Sequence, residues 1–354
     1  MKSPTKLRAG VIGLALSFYL LIQILAQYPA IVENYYSNGL YPLIVLIISN
    51  FSSYFSFSIS EMMLWLILLL GIPFVINQIK TKRMSITQIA LNLIITGAAF
   101  YVWFYLFWGI NYFRVPLRTK LNLENVQLSF DAFDSTFAQI IDRGNELNLS
   151  YSIKEVKELN AIIDETYPKV LTNLGLPKVP ATSKIKTFFG NWILNKTTTS
   201  GWLSPFFHEV HYNSDLLIFE LPFVLAHEKA HLMGYTSEAE ANFLAHLVCT
   251  IAPDPLCQYS GHLQVLGYFF QTAKNNKSKK AYFTDQLSDG VKLDLEAVKE
   301  RWQSHKGIIS NLTDKGYHLY LQANQVKEGI ENYARVVDLL VRYYHEKPFV
   351  NREK

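Results

Sequence analysis

Cysteine is scarce in this sequence. Only Cys249 and Cys257 carry a thiol, and no Cys-x-x-Cys pair occurs, which removes thiolate zinc ribbons and thioredoxin-like chemistry. Their closeness leaves two alternatives open, a disulfide or two buried thiols near a helix end. Charge is scarce as well, at 18% of residues against 50% hydrophobic ones. That balance is too apolar for an ordinary soluble chain and too polar for a pure membrane bundle. The formal net charge of +4 arises before residue 112, where six Lys/Arg face two Glu, and the remaining charges cancel. Residues 112–354 therefore offer no electrostatic footprint for nucleic acid, and no nucleic-acid partner is expected. No internal repeat or low-complexity stretch is present.

What the chain does have is long uncharged runs near its N-terminus. Three reach the roughly 20 apolar residues that a bilayer demands: Ala9–Val32, Met62–Ile79 and Met84–Phe113. The last ends in Tyr101, Trp103, Tyr105, Trp108 and Tyr112, rings that favour the headgroup level. Lys2, Lys6 and Arg8 precede the first run, Lys80, Lys82 and Arg83 separate the second from the third, and the loop between Glu33 and Glu61 has no basic residue. The positive-inside rule then makes the N-terminus cytoplasmic and puts everything after Tyr112 on the other side, periplasmic where an outer membrane exists. A rival reading takes Leu40–Ile59 as a fourth span. Its Asn50, Ser52, Ser53, Ser56 and Ser58 favour a short helix lying at the interface instead. The first run also has the form of a cleaved signal peptide, but two spans follow it, so the chain stays anchored.

Residues 1–113 are thus expected to be a membrane anchor and residues 114–354 one extracytoplasmic domain. In the latter, 131–147 and 153–174 have apolar residues at helical spacing, including Ile140, Ile141, Leu159, Ile163 and Val170. Lys184–Phe189, Gly201–Ser204 and Phe207–Tyr212 have strand-favouring residues with turn formers between them, which predicts a small antiparallel sheet. From Leu216 onward the pattern is helical. The class expected is α+β, mainly helical.

One motif carries chemistry. His227-Glu228-Lys229-Ala230-His231 puts two imidazoles one turn apart on one helix face, able to converge on an ion, with Glu228 about 100° round as a base for a metal-activated water. Leu221–Ala226 makes an apolar approach and Gly234 has the place of a C-cap glycine. A third ligand is needed for Zn2+, and Glu238 and Glu240 both follow. Ser237 is a good N-cap, and Ser237-x-x-Glu240 has capping-box spacing, which assigns Glu240 to the cap and leaves Glu238 for one zinc ion. An acid at a helix start also suits the dipole without any metal. Asn242, one turn beyond Glu238, can orient a ligand histidine, and His246 is a further alternative ligand.

His227-Glu228-x-x-His231 followed by Glu238-x-x-Ala241-Asn242 resembles the gluzincin metallopeptidases, which implies a zincin-like fold, Zn2+ held by His227, His231 and Glu238, and Glu228 as the catalytic base. Over nearly its full length, with Trp108-Gly109-Ile110-Asn111-Tyr112, Ser200-Gly201-Trp202, Glu220-Leu221-Pro222-Phe223, Glu240-Ala241-Asn242-Phe243 and Tyr333-Ala334-Arg335-Val336-Val337-Asp338-Leu339-Leu340, the chain resembles the bacterial membrane family called domain of unknown function 3810. One departure from zincin helices is the charged Lys229, which the helical wheel directs away from the ion, its ammonium snorkelling outward.

Weaker candidates are His208-Glu209-Val210-His211, expected as surface polar residues on an edge strand, and Tyr317, His318, Tyr320, Tyr333 and Arg335, any of which could stabilise an oxyanion. The expected activity is zinc-dependent hydrolysis of a peptide or protein substrate at the membrane surface. The alternative is a catalytically silent zincin-fold scaffold or binding module. An intramembrane protease is disfavoured because Leu216–Ala226 is too short to cross a bilayer.

Overall fold

The computed structural model describes residues 4–180, 183–323 and 333–347. The chain is mainly helical and divides into two compact units. The first comprises Met1–Val115, Pro180–Phe189 and Ser204–Glu209; the second comprises Pro116–Val179, Gly190–Leu203 and Val210–Lys354.

The first unit holds helices α1 (Pro4–Leu25), α2 (Pro29–Ser53), α3 (Ile59–Lys80) and α4 (Ile86–Phe107). Two of these, α3 and α4, are long and apolar enough to cross a membrane, and a third candidate arises if the bent pair α1 and α2 counts as one span. Leu14, Leu69, Leu70 and Leu93 are exposed on these helices, as lipid-facing residues would be. The expected first span, Ala9–Val32, does not run through. Helix α1 stops at Leu25, and α2 leaves it at 104°. Tyr28 precedes Pro29 and has left the helical region, at ψ 65°, because the proline ring clashes with a helical predecessor. The segment expected as a short helix at 40–59 is the second half of α2, which includes a π-helical stretch, Val32–Leu40. The expected third span, Met84–Phe113, is α4 followed by a separate 3-10 turn, Gly109–Phe113. Ser85 and Gln88 cap α4 reciprocally, at 3.2 and 2.9 Å.

A buried polar knot lies at the start of α3. Glu209 receives the Ile59 and Ser60 amides at 2.9 Å each, the Ser60 hydroxyl at 2.5 Å and the Lys186 ammonium at 2.6 Å. Burial pushes the Glu209 carboxyl up, but Lys186 and the Ser60 and Ile59 donors outweigh it and hold it below its usual value. This corrects two expectations. His208, Glu209 and His211 are fully buried, not surface groups on an edge strand, and Lys184–Phe189 forms no strand. The stretch keeps only an isolated bridge at Lys186, whose ammonium is drawn to Glu209 and to the Ser52 carbonyl at 2.8 Å.

The second unit contains α5 (Leu117–Lys120), α6 (Ala132–Asn148), α7 (Val156–Asn173), α8 (Asn191–Lys196), α9 (Leu221–Leu232), α10 (Glu238–Ile251), α11 (Pro255–Thr272), α12 (Lys277–Asp285), α13 (Asp289–His305), α14 (Ile308–Ala323) and α15 (Tyr333–Glu346). Helices α6 and α7 bury the predicted Ile140, Ile141, Leu159, Ile163 and Val170. Phe137 centres an aromatic cluster with Phe269, Phe270 and Phe283 at 4.2–5.1 Å. Cys249 and Cys257 are both free and buried. The sheet is smaller than expected: strands β1 (Gly201–Ser204) and β2 (Glu209–Tyr212) form one hairpin, the only sheet among the described residues.

Candidate metal centre

The first half of helix α9, Leu221–Ala226, is apolar all round, and a helix segment of that kind is stable only when enclosed. Every residue of α9 is buried except His227, which is half-buried. Its start is braced from inside. The Phe223 amide, which has no partner in the helix, donates to the Ser260 hydroxyl at 3.0 Å. Glu220 forms a bidentate pair with Arg301 at 2.8 and 2.9 Å. Halfway along, the Tyr167 hydroxyl of α7 donates to the Ala226 carbonyl. The end is a Schellman motif: the Tyr235 amide reaches the Ala230 carbonyl at 3.0 Å, the Gly234 amide reaches His231 at 2.9 Å, and Gly234 has φ +83°.

That turn brings α10 back so that His227, His231 and Glu238 converge, with ligating atoms all within 4.8 Å of one another. The two Nε2 atoms lie 3.0 Å apart, and Glu238 oxygens lie 3.2 Å from His227 Nε2 and 3.5 Å from His231 Nε2. The far side of each ring sets its tautomer. His231 Nδ1 is 2.7 Å from the Tyr235 carbonyl, which can only accept, so this nitrogen carries the hydrogen. His227 Nδ1 donates to Asn242 Oδ1 at 2.8 Å, and the Tyr268 hydroxyl donates to the same oxygen at 3.2 Å. Both Nε2 lone pairs therefore point at each other and at a carboxylate, a mutually repulsive set that requires a proton or a cation between its members. Two imidazole nitrogens and one carboxylate, with His227 and Glu238 partly exposed, make a donor set that fits zinc, with both rings oriented from behind.

The charges within the cluster favour a protonated His231. Burial disfavours the His231 imidazolium, but the Glu238 and Glu228 carboxylates outweigh it and push its pKa up to about 9. Glu238 is held well below the usual range, against burial, by the two histidines. Glu228 stands outside the converging set. Burial raises its pKa, and the Leu203 amide of β1 donates to its carboxylate. Gly201 crosses directly above it: a Cβ there would lie 2.7 Å from both Glu228 Cγ and Oε1.

Two expectations fail here, and His246, the alternative ligand, is not among the converging groups. Ser237 is the N-cap position of α10 but its side chain caps nothing, and Glu240 accepts the Leu117 amide at 2.6 Å instead of closing a capping box. Lys229 does not snorkel; it is fully buried and paired with Asp164 of α7, since α7 covers the face that the wheel leaves free. His246 faces away from the cluster, between the Gly261 carbonyl at 3.0 Å and the Tyr344 hydroxyl at 2.7 Å. Of the oxyanion candidates, the Tyr317, Tyr320 and Tyr333 side chains lie outside the described residues, His318 is half-buried on α14 and Arg335 is exposed on α15. The roles of Gly201, Tyr235, Tyr268 and Asp164 went unread. Only Gly201 carries a local signal, a glycine opening a strand-favouring run.

The family described as protein of unknown function DUF3810 matches residues 36–341 of this chain. No curated protein matches it, and no solved structure does.

Proposed function

The chain belongs to the family of proteins of unknown function DUF3810, and we propose that it is a membrane-anchored zinc peptidase, hydrolysing peptide bonds at the extracytoplasmic face. The observation that supports this reading is the pair of imidazoles whose Nδ1 hydrogens are both committed to oxygen acceptors while their Nε2 atoms converge with Glu238. His227, His231 and Glu238 would hold the metal, which when bound would acidify a water and polarise a carbonyl. Asn242, fixed by Tyr268, and the Tyr235 carbonyl keep the two rings in register. Glu228 takes the proton of the attacking water. Burial, which raises its pKa, makes it a stronger base than an exposed carboxylate and lets it pass the proton on to the leaving amine. Lys229 does not oppose this, because Asp164 neutralises it on the opposite side of α9. Helix α9 has 12 residues, too few to cross a bilayer, which argues against intramembrane cleavage.

The test is metal analysis of the full chain in detergent, beside hydrolysis of a peptide library. Glu228→Gln should keep zinc and lose hydrolysis, and Glu238→Ala should lose zinc while staying folded. Zinc retained by Glu238→Ala would remove the ligand assignment. Zinc in the wild-type chain without Glu228-dependent hydrolysis would leave a silent scaffold.

A further inference from the structure

His231 and Glu238 come from opposite sides of the Gly234–Ser237 turn, so their spacing depends on what holds that turn. The Schellman bonds of α9 hold the turn's first half, and the Ser237 side chain adds no cap to its second. Further support comes from the strap Leu117–Asn125, over 100 residues earlier. The Leu117 amide donates to Glu240 at 2.6 Å, two residues beyond Glu238. The Lys120 ammonium lies 5.4 Å from the centre of the Tyr235 ring, and the Tyr235 carbonyl is the one that orients His231. The strap is in turn clamped by α15. Arg118 pairs with Asp338 at 3.2 Å, and Arg342 donates to the Leu123 and Val126 carbonyls at 3.3 and 2.9 Å. Leu117 and Tyr235 are essentially inaccessible, at 0% and 1% exposure, so neither contact is a loose surface encounter.

We propose that this strap is a positioning device for the candidate metal site, with Glu240 as its positioning residue. This rests on the zinc-site reading above. The Leu117–Glu240 hydrogen bond fixes the start of α10, the Lys120–Tyr235 contact fixes the carbonyl behind His231, and together they set the His231–Glu238 separation. Glu240 itself touches no metal. Its carboxylate is engaged by a backbone amide, a charge-assisted bond that holds more firmly than a neutral one.

The experiment is zinc affinity of the full chain in detergent, measured by competition with a chromogenic chelator, beside thermal melting. Glu240→Ala should still bind one zinc at saturation, with Kd raised about tenfold, the lower end for a group acting from behind a ligand. Glu240→Gln keeps an acceptor for the Leu117 amide and should restore most of the affinity. Lys120→Met removes a half-buried cation with little risk to folding and should raise Kd about threefold. Arg118→Ala, which removes one of the two clamps on the strap, should raise Kd by less than Lys120→Met does, because Arg342 still holds the strap. A Glu240→Ala protein that melts earlier yet binds zinc with wild-type Kd would make Glu240 a structural cap and overturn the proposal. Failure to bind at saturation, as expected for Glu238→Ala, would make Glu240 a ligand and overturn it too. If Glu240→Ala does not fold, a wild-type Kd for Lys120→Met overturns it. A wild-type chain that binds no zinc would remove the metal-site reading itself, a result distinct from the others.

Discussion

Asp164→Asn should destabilise the second unit far more than Lys229→Met, although the two residues form one ion pair. Lys229 is fully buried, whereas the Asp164 side chain keeps 24% of its exposure. Burial pulls the Lys229 pKa down against the pull of Asp164, and burial pushes Asp164 up against Lys229. Neither group is comfortable charged alone, but only one of them has an exit. Losing Lys229 leaves Asp164 with water and with the Asn160 amide at 3.0 Å; losing Asp164 strands an ammonium in the core. Removing one partner of a buried pair costs about 3–5 kcal/mol, so Asp164→Asn should cost about 3 kcal/mol and Lys229→Met about 1 kcal/mol. At roughly 2–4 °C per kcal/mol for a domain of this size, Asp164→Asn should lower Tm by roughly 6–12 °C. The double variant Asp164→Leu/Lys229→Met should recover to within about 1 kcal/mol of wild type, since replacing both charges removes the desolvation penalty. Thermal melting of the four proteins, in one detergent and with excess zinc, makes the comparison. Equal losses for the two single variants, or an Asp164→Asn protein that melts with the wild type, would refute the argument from unequal burial.

Gly201→Ala places a Cβ 2.7 Å from Glu228 Cγ and Oε1; it should cost about 1–3 kcal/mol and slow hydrolysis about 100-fold while zinc content stays at wild-type level. An unchanged rate beside unchanged metal would mean that Glu228 is not held by the strand above it. His246, with burial taking its pKa from 6.5 to about 4, stays neutral in the folded chain beside Tyr344, whose hydroxyl burial keeps protonated, and His262. The unfolded chain binds that proton first, so the stability is fully present above pH 6.5 and is lost as pH falls toward 4, by roughly 2 kcal/mol at pH 5. His246→Gln should show a shallower fall in Tm between pH 7 and pH 5 than wild type, and identical slopes would count against a neutral buried imidazole.

The features legible in the sequence are those whose cause is local. His227 and His231 share a face because helix geometry requires it, Gly234 ends α9 because the turn needs φ +83°, and α3 and α4 are long apolar runs. The break between α1 and α2 also has a local cause, Pro29, which the length of the surrounding apolar run masks. Lys229 and Glu209 were misread for a different reason. A charged residue in a motif or beside a turn is assigned to solvent by default, and what buries these two is a partner far away: Asp164 for Lys229, and Lys186 with the Ile59 and Ser60 amides for Glu209. Pairings separated by 65 and 150 residues leave no periodic trace in one sequence.

The choice between Glu238 and Glu240 shows where such reasoning is sound and where it is not. Assigning Glu240 to a capping box assumed that a carboxylate at a helix start finds its partner nearby, and its partner is the amide of Leu117. The sounder warrant is geometric. Two residues along a helix correspond to a rotation of about 200°, so if one of these carboxylates faces α9 the other faces away, whatever it bonds to. Glu238 stands beside both histidines, and Glu240 meets the strap on the opposite side. Helix α10 therefore joins the candidate metal site and its support through two residues that cannot exchange roles. Moving the negative charge from 238 to 240, or the reverse, should not be tolerated even where net charge and helix propensity are conserved.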